Sequence, residues 1–263
     1  MSVDNRIDAD APTQEWDVDR YQGQHSFVWK LGSSLLELIQ VSDGQRILDV
    51  GCGSGELTQA LSHLAKNLVV TGMDADPDMV AKARQQFPSC DFFQGDMRNF
   101  EVPEPVDVLF SNAALHWIPA KDAGRAVACM AKALRPGGQL VVEFGGKGNV
   151  ERVVQSTLQV LQLPASTTPW NFPSISEYTT LLEENGMEVS AATLFDRPVV
   201  LKDGEAGLSN WLRMFGSTFF KGQSDEEIDS ILVQINDLLR SELFNGTDWT
   251  VDYRRIRIVA KKL

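Results

Sequence analysis

From Arg46 to Phe144 short apolar runs alternate with amphipathic stretches, and this alternation constrains the fold more than any other feature of the chain. RILDV (46–50), LVVTGM (68–73), residues 91–94, residues 106–111 and QLVVEF (139–144) read as strands. Between the first two, Leu57, Ala60, Leu61, Leu64 and Ala65 recur at the spacing of one helix face. Residues 33–41, 77–87 and 120–134 also read as helices, the last stopped by Pro136-Gly137-Gly138. Strand and helix taking turns predicts an α/β fold with a doubly wound, mainly parallel sheet and helices on both faces. After Gly148 the pattern changes: helices over 149–161 and 174–185, a strand over 187–195, helices over 208–219 and 226–240, and a closing strand over 249–260. Ser224-x-x-Glu227 is a capping box for the last helix. The two helices between the last two strands read as an insertion covering the sheet's carboxyl edge.

The stretch DVGCGSGELT (49–58) lies where ligands bind in such a sheet, at the carboxyl end of a strand before a helix. Glycine there lets the backbone approach a ligand, and a tight turn alone would use glycine too. The spacing is G-x-G-x-G, and Glu56 stands where the dinucleotide fingerprint wants glycine or alanine, which disfavours NAD and hydride transfer. Asp74 ends the second strand, 25 residues after Asp49, where a carboxylate can take both hydroxyls of a ribose or serve a helix cap near Asp76-Pro77. Asp96, past the third strand, suits an adenine amino group or a turn.

Composition narrows the class. The chain has 263 residues, 43% of them hydrophobic, and a net charge of −12. It carries no long basic stripe for nucleic acid, no apolar run of membrane-spanning length, and an acidic start without a signal core, which predicts a cytoplasmic protein with neither nucleic acid nor membrane as partner. Cys52, Cys90 and Cys129 are odd in number and widely spaced, against both a disulfide framework and a zinc site. The closing YRRIRIVAKKL fits a strand with Ile256, Ile258 and Ala260 on one face and Arg255, Arg257 and Val259 on the other; Arg254, Arg255 and Arg257 are expected on a sheet face rather than in a site.

Taken in order, DVGCGSGELT, GMDADPDMV, QGDMRNF, FSNAALHW and LRPGGQLVVEFGG resemble the class I S-adenosylmethionine-dependent methyltransferases, and SNAALHW resembles the trans-aconitate methyltransferase subgroup. The resemblance implies a seven-stranded Rossmann-like sheet ending in an antiparallel hairpin, with a helical cap between its last two strands. It implies a lid segment over residues 1–44, a cofactor-binding core over 45–148, and the rest of the sheet over 149–263 with its cap at about 204–246. S-adenosyl-L-methionine is the implied cofactor, without a metal. Asp49, Gly51 and Gly53 would surround its methionine part, Asp74 its ribose, and Ala75, Met79, Asp96 and Met97 its adenine. Asn112 and Ala113 would face it from the fourth strand, and Tyr21 and His25 would close over it. His116 and Trp117 would begin the substrate side.

The resemblance also implies a small-molecule acceptor, with methyl transfer to a carboxylate. An ionised carboxylate needs no base, whereas an amine or hydroxyl does, and His116 is the base the sequence offers. A carboxylate needs a cation instead: Arg197 in FDRP and Arg213 in WLRMF are the expected anchors, with Trp170 and Trp211 as walls. Two alternatives stay open: an N- or O-methyltransferase using His116, and a cofactor-binding protein without turnover. Oligomeric state is not marked by any pattern in the sequence.

Overall fold

The computed structural model describes residues 34–263; Tyr21 and His25, and residues 1–33 of the expected lid, lie outside the described residues. Seven strands form one sheet in the order β3-β2-β1-β4-β5-β9-β6. They are β1 (Arg46–Val50), β2 (Val69–Asp74), β3 (Asp91–Gln94), β4 (Val106–Asn112), β5 (Leu134–Gly145), β6 (Met187–Asp196) and β9 (Arg254–Lys262). β1 to β5 run parallel, and β9 is antiparallel to both β5 and β6. The order reverses between β1 and β4, which opens a crevice at their carboxyl ends. The expected doubly wound sheet with a terminal hairpin is the observed one.

Helices α1 (Glu56–Leu61), α2 (Pro77–Gln86), α3 (Ala123–Ala133), α4 (Glu151–Leu161), α5 (Ile175–Glu184), α6 (Gly207–Phe215) and α7 (Asp225–Leu243) connect and cover it. Alternate residues of each strand serve opposite faces. Leu48, Leu109, Leu140, Val142 and Ile258 join one core with α3 and α5, and Ile47, Val108, Phe110 and Val141 join another with Leu35.

Three boundaries differ from the sequence reading. α1 stops at Leu61, where the Ser62 hydroxyl donates to the Gln59 carbonyl and ends the turn before Leu64 and Ala65. β5 begins at Leu134, so Pro136-Gly137-Gly138 lies inside an irregular strand entrance with a register shift opposite Val106 and Val108. The closing strand is two: β8 (Thr250–Val251) leaves the main sheet and pairs with β7 (Val199–Val200). Asp252 causes the break, because its carbonyl accepts from Val150 N–H and its carboxylate from Arg152 N–H at the start of α4.

The departure of β8 serves the cap. α4, α6, α7, β7 and β8 bury a core of their own, with Val153, Leu212, Ile235 and Trp249 among the most enclosed side chains. α7 starts with the expected capping box of Ser224 and Glu227, and α5 has another of Ser174 and Glu177.

Candidate active site

The glycine loop is tied to its neighbour strand, because the N–H groups of Gly51 and Cys52 both donate to the Met73 carbonyl at 2.7 and 3.0 Å. Gly51 has φ 75°, and a Cβ there would stand 2.2 Å from Ala114 Cβ. Its need for glycine is thus set by packing against the loop after β4. Gly53, with φ 53°, has nothing within 4 Å of where a Cβ would be, so its exposed side faces open space. The Gly53 N–H donates to Asp74 Oδ2 at 2.8 Å, and Asp76 N–H donates to Oδ1 at 3.0 Å. The helix-cap role belongs to Asp76, whose carboxylate accepts from the N–H groups of Asp78 and Met79 at the start of α2. Asp74 instead joins the glycine loop to the end of β2, and burial raises its pKa above the ordinary carboxylate value against the lowering effect of those backbone hydrogen bonds.

Asp49 lies deeper, 2% exposed, and accepts from the Thr58 hydroxyl at 2.7 Å. Burial pushes its pKa up to about 7, against the lowering effect of that bond. Asp96 is also buried, but both its oxygens receive the Arg98 guanidinium. Burial alone would raise its pKa; the hydrogen bonds and charge of Arg98 win, and the net shift is downward. Met97 packs beside Gly51, Met79 is buried, and Ala75 lies exposed after β2. Asn112 ends β4, and Ala113 follows at φ 58°, a left-handed conformation for a residue with a Cβ, held by its N–H bond to the Glu143 carbonyl at 2.7 Å.

Beyond Ala113 opens a half-enclosed pocket with aromatic walls. Trp117, Trp170, Phe172, Trp211, Phe215 and Tyr253 wall it. Trp170 stacks with Phe172 at 5.9 Å between centroids, and the Trp211 indole N–H donates to the Tyr253 hydroxyl at 2.6 Å. Val150 lines it too, in a left-handed conformation (φ 47°) that a β-branched residue seldom adopts.

His116 is buried in this wall and held at two points. Its ring Nδ1 accepts the Gly145 N–H at 3.3 Å, and its carbonyl accepts the Asn171 N–H at 2.8 Å. Burial, and next the charge of Arg255, put its pKa well below the ordinary histidine value. Gly145 is required here, since a Cβ would stand 2.5 Å from the Phe172 ring.

His116, Trp117, Trp170 and Trp211 thus meet in one cavity, as expected from the sequence. The two expected anchors do not join them. Arg197 turns to the buried Glu143, which also binds Arg257, and Arg213 pairs with Asp229 at 2.5 Å and Asp225 at 4.0 Å on the cap surface. Both guanidiniums are drawn to carboxylates that the fold brings near. The cation lining the cavity is Arg255, 8% exposed, its guanidinium 4.7 Å over the Tyr253 ring. It does lie on the face opposite Ile256 and Ile258, but β9 is an interior strand whose end borders the cavity. An arginine at the first turn of a strand flanked on both sides was the available signal.

Comparison with known proteins agrees with this geometry. Residues 47–138 match a family model described as a methyltransferase domain. An uncharacterized methyltransferase of Schizosaccharomyces pombe is 34% identical, over 95% of this chain and 99% of its own. A trans-aconitate 2-methyltransferase of Methylobacterium nodulans is 28% identical, over 81% and 84% of the two chains. Among solved structures, the YcgJ protein of Bacillus subtilis superposes with a TM-score of 0.62 at 19% identity, covering 90% of this chain and 99% of its own.

Proposed function

The chain belongs to the class I S-adenosylmethionine-dependent methyltransferases, and from that premise we propose that it forms methyl esters on the carboxylate of a small molecule. The crevice suits the cofactor on its own chemistry. Gly53 leaves open space, Asp74 presents a half-buried carboxylate that gains from hydroxyl donors, and the desolvated Asp49 gains from a nearby cation. Asp49, Gly51, Gly53 and Asp74 hold the methionine and ribose parts, Ala75, Met79, Asp96 and Met97 the adenine, and Asn112 with Ala113 the side toward the acceptor. When bound, S-adenosylmethionine supplies a methyl group already activated on a sulfonium, which leaves a neutral thioether once an acceptor oxygen takes it.

The observation that carries the carboxylate reading is Arg255, a buried cation in an aromatic cavity that begins at Ala113. A guanidinium in such surroundings holds a carboxylate in place and is screened little by salt. The aromatic walls exclude water around the transferring group, and the Arg255–Tyr253 contact fixes the guanidinium. A base is not required, because the acceptor oxygen arrives ionised.

Calorimetric titration with S-adenosylhomocysteine, beside NAD, tests the cofactor: the former binds and is lost in Asp74→Ala, the latter does not bind. A screen for transfer of labelled methyl to small acids, amines and alcohols tests the acceptor. Arg255→Gln is expected to raise KM for the acid at least tenfold with S-adenosylhomocysteine affinity unchanged, and Arg197→Gln to leave KM alone. Methylation of amines or alcohols but of no acid sinks the reading.

A further inference from the structure

Asn149 reaches the pocket wall through a turn that its own stretch of sequence builds. In Gly146-Lys147-Gly148-Asn149 the Asn149 N–H donates to the Gly146 carbonyl at 2.9 Å, and Gly148, at φ 84°, holds the third place, where a positive φ suits glycine. The side chain that this turn delivers is 3% exposed and lines the pocket. Its carboxamide has one orientation. The Arg254 N–H donates to it at 2.8 Å, and a backbone N–H can only donate, so the atom facing that backbone is the oxygen, Oδ1. Gly145 marks where the nitrogen lies: a Cβ there would stand 2.8 Å from Asn149 Nδ2 and 2.5 Å from the Phe172 ring. The same glycine donates its N–H to His116 Nδ1. Asn149, Phe172 and His116, all of the pocket wall, thus close on one residue that has no side chain.

Gly145 is the last residue of β5, which runs parallel to β4 and beside it. Asn149 Nδ2 therefore lies at the end of the pocket that adjoins the carboxyl ends of the strands, next to the cofactor crevice. Resting on the carboxylate reading, we propose that Asn149 binds and orients the acceptor: its Nδ2–H donates to the carboxylate oxygen that is not methylated, and the other oxygen is left to meet the methyl group. The fixed polarity of the amide sets the specificity. An amide nitrogen offers hydrogens and accepts none, so it suits an ionised or carbonyl oxygen and opposes an ammonium group, which offers hydrogens as well. Burial among aromatic rings strengthens such a bond over its value in water.

The reaction dictates which kinetic constant this contact governs. The acceptor oxygen takes the methyl as the carbon–sulfur bond breaks, that bond's electron pair stays on sulfur, and no proton moves. The carboxylate loses its charge in the step. A hydrogen bond to an ionised acceptor is about twice as strong as one to a neutral acceptor, so the Asn149 contact is strongest before transfer and weakest in the ester. Such a bond lowers KM, leaves the barrier from the bound state nearly as it was, and favours release of the ester over release of the acid. Its other effect is orientation, since fixing one oxygen aims its partner.

The test reads the Asn149 amide directly. Nitrogen-15-resolved spectra of the parent protein saturated with S-adenosylhomocysteine, with the Asn149 side-chain signals assigned through the backbone, are followed as 3-phenylpropenoic acid or trans-aconitate is titrated in. One Asn149 side-chain proton should move downfield as the acid binds. Asn149→Asp keeps an oxygen for the Arg254 N–H and exchanges the donor for a carboxylate. It should raise KM for the methylated acid about tenfold or more, with kcat changed by less than about threefold and S-adenosylhomocysteine affinity unchanged. Asn149→Ala loses both contacts but adds no like charge, and should raise KM less than Asn149→Asp does. A side chain that served only to hold Arg254 would give the reverse order. That reverse order, an unchanged KM in Asn149→Asp, or amide signals that stay in place while acid binds overturns the Asn149 assignment and leaves carboxylate methylation standing. Methyl transfer to amines or alcohols but to no acid overturns the carboxylate reading itself, and the Asn149 assignment with it. The spectra need only the parent protein, so they decide the matter even where a variant fails to fold.

Discussion

Asp49 shows at a single residue how a site draws on stability. Its carboxyl titrates near pH 7 in the fold against about 4 in the unfolded chain. Between those values the unfolded chain releases the proton and the native one keeps it, so stability falls as pH rises from about 4 to about 7. The whole difference is on the order of 4 kcal/mol at pH 7.5. Asp49→Asn keeps a partner for Thr58 without the charge. It should therefore unfold at a higher temperature than the parent at pH 7.5, with the gain shrinking toward pH 4; a gain that does not change with pH would refute this. On the proposed cofactor role of its carboxylate, the same variant should bind S-adenosylhomocysteine more weakly. Ala113 and Val150 make the same point in the backbone: two non-glycine residues in left-handed conformations both line the aromatic cavity.

Between elements, the strongest polar junction joins β5, β9 and the end of β6. Glu143, 2% exposed, binds Arg257 through Oε2 at 2.6 Å and Arg197 through both its oxygens. Each arginine also lies over the Phe195 ring. Either guanidinium alone can neutralise the carboxylate, so Arg197→Ala should cost about 1 kcal/mol and Arg257→Ala little more. Removing both leaves a buried charge unpaired, and the double variant should lose about 3–5 kcal/mol, more than the sum of the two. Urea denaturation of the four proteins in the cycle measures this; strict additivity would show that Glu143 finds another partner. It also explains why an arginine legible as an anchor in FDRP acts on stability. What a strand pattern reveals is which residues share a face, and Arg255 and Arg257 share one; only pairing with β5 assigns Arg257 to Glu143 and Arg255 to the cavity.

At the scale of the whole molecule, two cores meet at one cavity. The sheet supplies Ala113 and Arg255, and the cap supplies Trp211 and Phe215 from α6. Cofactor and acceptor should therefore leave different footprints in hydrogen exchange. S-adenosylhomocysteine alone should slow exchange around residues 51–55 and 74–79, and addition of the acceptor acid should extend the slowing to α6 and residues 116–118. Protection of α6 by S-adenosylhomocysteine alone, to the full extent, would mean that the cap answers to the cofactor. No helix among the described residues is long and apolar enough to cross a membrane.

The strands, the mainly parallel doubly wound sheet and its glycine loop were legible in the chain, because they rest on local regularities: apolar runs of strand length, helical spacing such as Leu57–Ala60–Leu61, and glycines beside Asp49; the terminal hairpin came from the family resemblance, and the order of the strands only from the fold. Even the insertion of two helices before the last strand could be read that way. What stayed hidden was which polar groups end up beside which. Arg197, Arg213 and Arg255 look alike along the chain, and their roles diverge because Glu143, 54 residues back, reaches Arg197, and because α7 folds back alongside α6 and brings Asp229 to Arg213. The Nδ1 of His116 is engaged by a backbone N–H at Gly145, 29 residues on. Periodicity is a property of neighbours in sequence, whereas ion pairs, tautomers and desolvation are set by neighbours in space, and only the folded chain brings those together.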